Sequence, residues 1–180
     1  MKTINSITLI LSLQTLLFII SIPSSHARTF HPKDGTLITF TCSHTPYPTL
    51  CLQSFGSFLG SDRSDMWGLA GIMLHHILAD TTDKALDKTD LLLDESGDRP
   101  GQGLVSCINK YFRILDTDIP RAKEAFYIED PKVPEDVANT AVKEASTCET
   151  GYPGYLTQEN IKLQHVAANT AAIFKLLHSR

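Results

Sequence analysis

Apolar residues recur with a helical period in four separate stretches, and this repetition limits the possible folds more than any other feature of the chain. The clearest stretch is the last. Leu163, Val166, Ala167, Thr170, Ile173, Phe174 and Leu177 line one face of a helix that should run to the carboxyl end. Val137, Ala138, Ala141, Val142, Ala145 and Cys148 form a second stripe. A third comprises Leu104, Cys107, Ile108, Tyr111, Ile114 and Leu115, and continues after Pro120 through Ala122, Ala125 and Phe126. The fourth runs from Asp65 or Met66 to about Leu93, with Ala70, Leu74, Ile77, Leu78, Ala85 and Leu92 facing inward. Four helices, each apolar on one face and joined by short connections, predict an all-α antiparallel four-helix bundle.

Local signals suggest where these helices begin and end. Thr157 follows the turn Gly151-Tyr152-Pro153-Gly154 and reads as an N-cap, its hydroxyl accepting from an orphaned backbone N–H. Pro134 suits a first helical position, where the missing N–H is no loss, and Glu135 and Asp136 favour the positive helix start. Pro120 should kink its helix or restart it. Gly97-Asp98-Arg99-Pro100-Gly101 is a turn-forming cluster. Gly101-Gln102-Gly103 also reads as a turn, because it lacks the Lys-Ser/Thr tail and the preceding strand of a phosphate loop.

At the amino terminus Lys2 precedes an apolar run from Ile7 to Ile22, followed by Pro23, Ser24, Ser25, His26 and Ala27. This three-part pattern predicts a secretory signal peptide over residues 1–27, cleaved after Ala27. Ser12, Gln14, Thr15 and Ser21 interrupt the run, which falls short of the roughly 20 mainly apolar residues of a membrane span. No membrane association is therefore expected after cleavage. The mature chain, residues 28–180, is large enough for one domain with its own core.

Export places Cys42, Cys51, Cys107 and Cys148 in an oxidising compartment, where an even set pairs. Three pairings are possible, and the spacing favours the sequential one, Cys42-Cys51 and Cys107-Cys148. Closing the longer loop should stabilise the fold by roughly 4 kcal/mol on the chain-entropy account. A zinc site is not expected, since there is no Cys-x-x-Cys pair and no supporting histidine spacing. Upstream of the bundle, Leu37, Ile38 and Thr41 mark one short helix, and Leu52, Phe55, Phe58 and Leu59 another. Pro46 and Pro48 forbid a continuous helix between them. Residues 28–64 therefore read as a helical hairpin clipped by Cys42-Cys51, and residues 65–180 as the bundle.

No catalytic constellation emerges. All four cysteines are expected to be oxidised, there is no Gly-x-Ser-x-Gly elbow, and Asp94-Glu95 and Glu135-Asp136 sit at helix ends where carboxylates face solvent or the dipole. His75 and His76 diverge by about 100° on a helix, which leaves one half-buried and one exposed and does not grip a metal. No cofactor is implied. After loss of the leader, acidic residues outnumber basic ones by five, which disfavours nucleic acid as a partner. Trp67 is expected to pack between hairpin and bundle. Asn-x-Ser/Thr acceptors are absent.

The segment Thr41-Cys42-Ser43-His44-Thr45-Pro46-Tyr47-Pro48-Thr49-Leu50-Cys51 resembles the opening of the plant invertase and pectin methylesterase inhibitor family. The resemblance continues through Asp62-Arg63-Ser64-Asp65, Cys107-x-x-x-Tyr111, Ser146-Thr147-Cys148-Glu149 and the alanine-rich final helix, and so spans the mature chain. It implies an exported enzyme inhibitor, not an enzyme, with a helical hairpin on a four-helix bundle and two sequential disulfides. Glu129-Asp130-Pro131-Lys132-Val133-Pro134-Glu135-Asp136 is similar to the invertase-inhibitor loop in which Pro-Lys-Phe enters the substrate cleft, with Val133 in place of the phenylalanine.

That similarity implies a target-binding set of Pro131, Lys132, Val133, Glu135 and Asp136. The expected partner is an acid invertase (beta-fructofuranosidase) of cell wall or vacuole, blocked at its active site. Proline stiffens the loop, and the lysine suits a glycosidase cleft that needs carboxylates. Inhibition of pectin methylesterase through the helical faces is the alternative, and a non-inhibitory secreted bundle a second. The expected location is extracellular, in the apoplast, with the vacuole a further possibility. In such acidic fluids histidine protonation is expected to make complex formation depend on pH.

Overall fold

Wherever an apolar stripe recurs with the helical period the backbone is helical, and no strand occurs among the described residues. The computed structural model describes residues 36–97 and 101–179, which lie within one compact unit, His31–Arg180. The signal-peptide reading, residues 1–27, falls outside the described residues. Helices α1 (Thr36–Ser43) and α2 (Pro48–Gly56) form the hairpin. A 3₁₀ turn, Ser61–Arg63, leads to α3 (Met66–Ile72), which passes through a π-helical turn (Met73–Leu78) into α4 (Ala79–Ser96). Likewise α5 (Gln102–Arg113) passes through a π turn (Ile114–Asp118) into α6 (Ile119–Tyr127). Helices α7 (Lys132–Gly151) and α8 (Thr157–His178) are uninterrupted.

The rods α3–α4, α5–α6, α7 and α8 make the antiparallel four-helix bundle, and the hairpin packs on α8 and α3. The most extensive interface joins α7 to α8. Ala138, Ala141 and Ala145 on α7 are fully buried, and such small side chains let α8 approach with Leu163, Val166, Ile173 and Phe174. Each of those larger side chains, removed from water, contributes about 1.5–3 kcal/mol. The inward positions expected on all four rods are buried or half-buried.

Two covalent bonds and a polar relay hold this arrangement. Cys42 is bonded to Cys51 and Cys107 to Cys148, with Cα–Cα separations of 5.5 and 5.3 Å. The second bond ties α5 to the end of α7. Beside it, the Tyr111 hydroxyl donates to Asn160 Oδ1, and Asn160 Nδ2 donates to Glu149 Oε2 at 2.6 Å. Burial, ahead of the charges of Glu149 and Glu159, raises the Tyr111 pKa and keeps the phenol a donor. On the surface Glu144 of α7 takes Lys110 and Arg113 of α5. Burial alone would raise the Glu144 pKa, but the two cations hold it below the ordinary value. The hairpin is pinned by Asn169 of α8, whose Oδ1 accepts from Tyr47 N at 2.9 Å while its Nδ2 donates to Tyr47 O at 3.0 Å. The Tyr47 ring stacks on His165 with centroids 3.6 Å apart.

Several local expectations are corrected. Thr157 is the first residue of α8 rather than its cap, and its hydroxyl donates to Glu149 Oε1 at 2.6 Å, a charged acceptor that wins over a cap. Pro134 is third, not first, in α7, still among the positions whose N–H has no intrahelical partner. The expectation for Pro120 holds, since the α-helix restarts at Ile119 after the π turn with the proline at its second position, where the missing N–H is no loss. Gly103, read as part of a turn, lies inside α5, where a Cβ would overlap the carbonyl oxygen of Gly151. Leu52 and Leu59 are exposed, and α2 instead buries Cys51, Ser54 and Phe55. The ring contacts of Trp67 lie within the bundle, stacked on Phe126 at 4.8 Å and edge-on to Phe174 at 6.4 Å.

Two outcomes follow from this packing. Gly103→Ala should lower stability by about 1–3 kcal/mol, because the obstruction is backbone and cannot swing aside, as measured by denaturant unfolding. Glu149 carries a pKa lowered by its bonds from Thr157 and Asn160. A folded-state pKa below the unfolded one gives stability that is present above the ordinary value of 4.5 and lost as pH falls through the folded value. Glu149→Gln should therefore be less stable than wild type at pH 7, and the gap in thermal midpoint should close on acidification below pH 4.5.

Candidate functional site

The connection between α6 and α7 is short and its geometry is closely specified. Helix α6 ends in a Schellman arrangement: Asp130 N donates to Ala125 O at 3.0 Å and Glu129 N to Phe126 O at 3.1 Å. The residue at its left-handed position is Glu129, with φ 60°, where glycine is the usual occupant. Asp130 Oδ1 then accepts from Lys132 N at 2.9 Å and serves the start of α7 as a cap does. Pro131 occupies the N-cap position, and its carbonyl accepts from Glu135 N at 3.2 Å.

Pro131, Lys132 and Val133, expected in an interhelical loop, are thus the cap and first two residues of α7. The helical winding brings Lys132, Glu135 and Asp136 together, since residues three and four apart share a face. Lys132 Nζ lies 3.0 Å from Asp136 Oδ1 and 3.5 Å from Glu135 Oε2. The bond from Asp136 foremost, with the charges of both carboxylates, raises the lysine pKa despite some desolvation, so the ammonium persists. Val133 is half-buried and does not join this group.

A cation at a helix amino terminus opposes the macrodipole, and Lys132 sits there paired with the carboxylates three and four residues on. Its two carboxylate neighbours offset the mismatch. Such solvent-screened pairs are weakly held, and the ammonium is free to exchange them for a stronger acceptor. Glu135 is the buried member of the group. His178, at the end of α8, places Nε2 2.9 Å from Glu135 Oε2, an ion-pair distance without hydrogen-bond alignment. Periodicity on α7 alone did not reveal His178, because only the packing of α8 on α7 brings it there.

Two further residues escaped the sequence reading. Tyr127 and Ile128, the last residue of α6 and its C-cap, are 74 % and 78 % exposed. The available signal was that they follow Phe126 and leave the apolar stripe. His75 and Phe126 flank the Tyr127 ring edge-on, with centroids 5.7 and 6.0 Å away. His75 is half-buried and His76 exposed, as expected. Burial, followed by Lys123 and His76, lowers the His75 pKa and favours a neutral imidazole under the tyrosine.

Among the described residues no group of three or more metal-ligating side chains converges, and no helix is long and apolar enough to cross a membrane. The α6–α7 corner supplies no serine, threonine or cysteine nucleophile, and its Glu135 and Asp136 carboxylates are taken up by Lys132 and His178. It presents one exposed cation on a stiff turn, which suits recognition.

Residues 36–173 match the family described as Plant invertase/pectin methylesterase inhibitor, and the chain belongs to that family of enzyme inhibitors. Among individual proteins, it is 33% identical over 144 residues to "Cell wall / vacuolar inhibitor of fructosidase 1" of Arabidopsis thaliana, covering 79% of this chain and 69% of that one. The fold is similar to the crystal structure of a mutant form of a pectin methylesterase inhibitor from Arabidopsis, with TM-score 0.63 and 17% identity over 77% of this chain and 95% of the other. A second pectin methylesterase inhibitor structure, from Arabidopsis thaliana, gives TM-score 0.57 and 18% identity over 80% and 97%.

The left-handed residue in the corner has a measurable consequence. Replacing Glu129 by glycine should raise stability by about 1 kcal/mol, because the Cβ clash in that conformation disappears. Chemical denaturation of wild type and Glu129→Gly checks it.

Proposed function

We propose that this chain inhibits an acid invertase by placing the start of α7 in the enzyme's substrate cleft. Pro131 and Val133 shape the turn, Lys132 enters toward the carboxylates that a glycosidase uses, and Glu135 and Asp136 hold the lysine until it transfers. The observation that carries this reading is Lys132 itself, an exposed ammonium set against its helix dipole on a stiff turn. The named activity of the fructosidase-inhibitor relative supports the choice of target. Export through a signal peptide over residues 1–27, to the apoplast or the vacuole, agrees with that relative's cell-wall and vacuolar description.

The family also includes inhibitors of pectin methylesterase, and that enzyme is the second target to assay. Purified protein should inhibit acid invertase, and Lys132→Glu should weaken inhibition by about tenfold or more. Inhibition of invertase that is the same in wild type and Lys132→Glu would remove this corner from the mechanism. Methanol release by a pectin methylesterase, slowed by the wild type while invertase is unaffected, would redirect the function to the second target.

A further inference from the structure

Large apolar side chains are exposed at several places on this surface, and two of them, Tyr127 and Ile128 at 74 % and 78 % exposure, stand beside the proposed cleft-entering turn. Tyr127 and Ile128 immediately precede Glu129, and the Schellman turn carries the chain from them to Pro131 and Lys132 within three residues. We infer that Tyr127 and Ile128 are the apolar anchor of the inhibitory surface, packing on the rim of the target glycosidase's cleft while Lys132 enters it. This rests on the reading of the α6–α7 corner as the inhibitory element.

Four observations support the assignment. First, area: a stable protein complex covers about 800 Å² on each partner. Pro131 and Val133 are half-buried, which leaves Lys132 as the exposed member of that triplet and far too little surface on its own. The adjoining exposed apolar residues are Tyr127 and Ile128.

Second, the tyrosine is already positioned. Its ring rests edge-on against His75 and Phe126, Phe126 stacks on Trp67, and Trp67 and Phe126 both meet Phe174 in the core. An aromatic side chain braced in this way loses little freedom on binding. Gly71 helps set the brace, because a Cβ there would overlap the Phe126 ring. Third, Glu129 adopts a left-handed conformation that glycine would take without cost, so the turn keeps its shape against local preference. Fourth, the chemistry is complementary. A cleft that binds sugar offers apolar ring-stacking surfaces at its rim and carboxylates at its base, and a tyrosine beside a lysine matches both.

The test compares Tyr127→Ala, Ile128→Ser and Tyr127→Phe with Lys132→Glu, all as full-length secreted protein, titrated against one purified acid invertase. Tyr127→Ala should weaken inhibition by about tenfold or more, Ile128→Ser by a smaller factor, and Tyr127→Phe should retain it. The exposed positions should leave thermal midpoints within a few degrees of wild type, so that folding is not the cause. If Tyr127→Ala inhibits as wild type does while Lys132→Glu has lost inhibition, the anchor is wrong and the turn reading stands. Should a wild-type protein inhibit no invertase, both fall together. Sedimentation of wild type and Tyr127→Ala covers another occupant: a dimer that the substitution dissociates, with inhibition unchanged, assigns the patch to a second copy of this chain and overturns the proposal.

Discussion

The cross-link between Cys107 and Cys148, with the hydrogen-bonded chain of Tyr111, Asn160 and Glu149 beside it, is the constraint on which the bundle's geometry depends. It joins α5, the end of α7 and the start of α8 at one end of the molecule. Cysteine, tyrosine and asparagine there are buried, and a buried polar group is tolerated only when its partners are in place. The bond also shortens the loop ensemble of the unfolded chain. With one end tied in this way, the alanine face of α7 can seat α8 along its length, and the opposite end of α7, where Lys132 lies, is held in a defined direction.

From that opposite end the proposed site takes its form. Helix α6 stops because Glu129 turns left-handed, and α7 begins two residues after Asp130 turns back to accept from Lys132 N. An aromatic ladder from Phe174 through Trp67 and Phe126 to Tyr127 ties this corner to the core. The hairpin is secured at a different place, through Asn169 and the Tyr47 backbone. Disulfide Cys42–Cys51 therefore closes the hairpin itself, while a buried side-chain amide attaches it to the bundle.

Much of this was legible in the residues. Period-3.6 stripes located all four rods because each helix buries one face, and the inward residues of α7 and α8 were identified individually. The sequential cysteine pairing also agrees with the bonds observed. Boundaries were harder. Thr157 had the chemistry of a cap, but Glu149, distant along α7, offered a charged acceptor instead. Pro134 resembled a helix start, while Asp130 and Pro131 began the helix earlier. In the hairpin, Leu52 and Leu59 carried the hydrophobicity of a core and none of the placement.

The sequence by itself determined the helical class, the four apolar faces, the proline-lysine segment and the family resemblance, because these reside in spacing and in residues adjacent along the chain. Tertiary structure decided the rest. Only packing brings His178 to Glu135 and stands Tyr127 on His75, while Asp130 and the Pro131 carbonyl start the helix at Lys132 where a loop was expected. The reason is physical: side-chain periodicity records which face is apolar, whereas exposure, ion-pair partners and aromatic stacking depend on which other helix lies opposite.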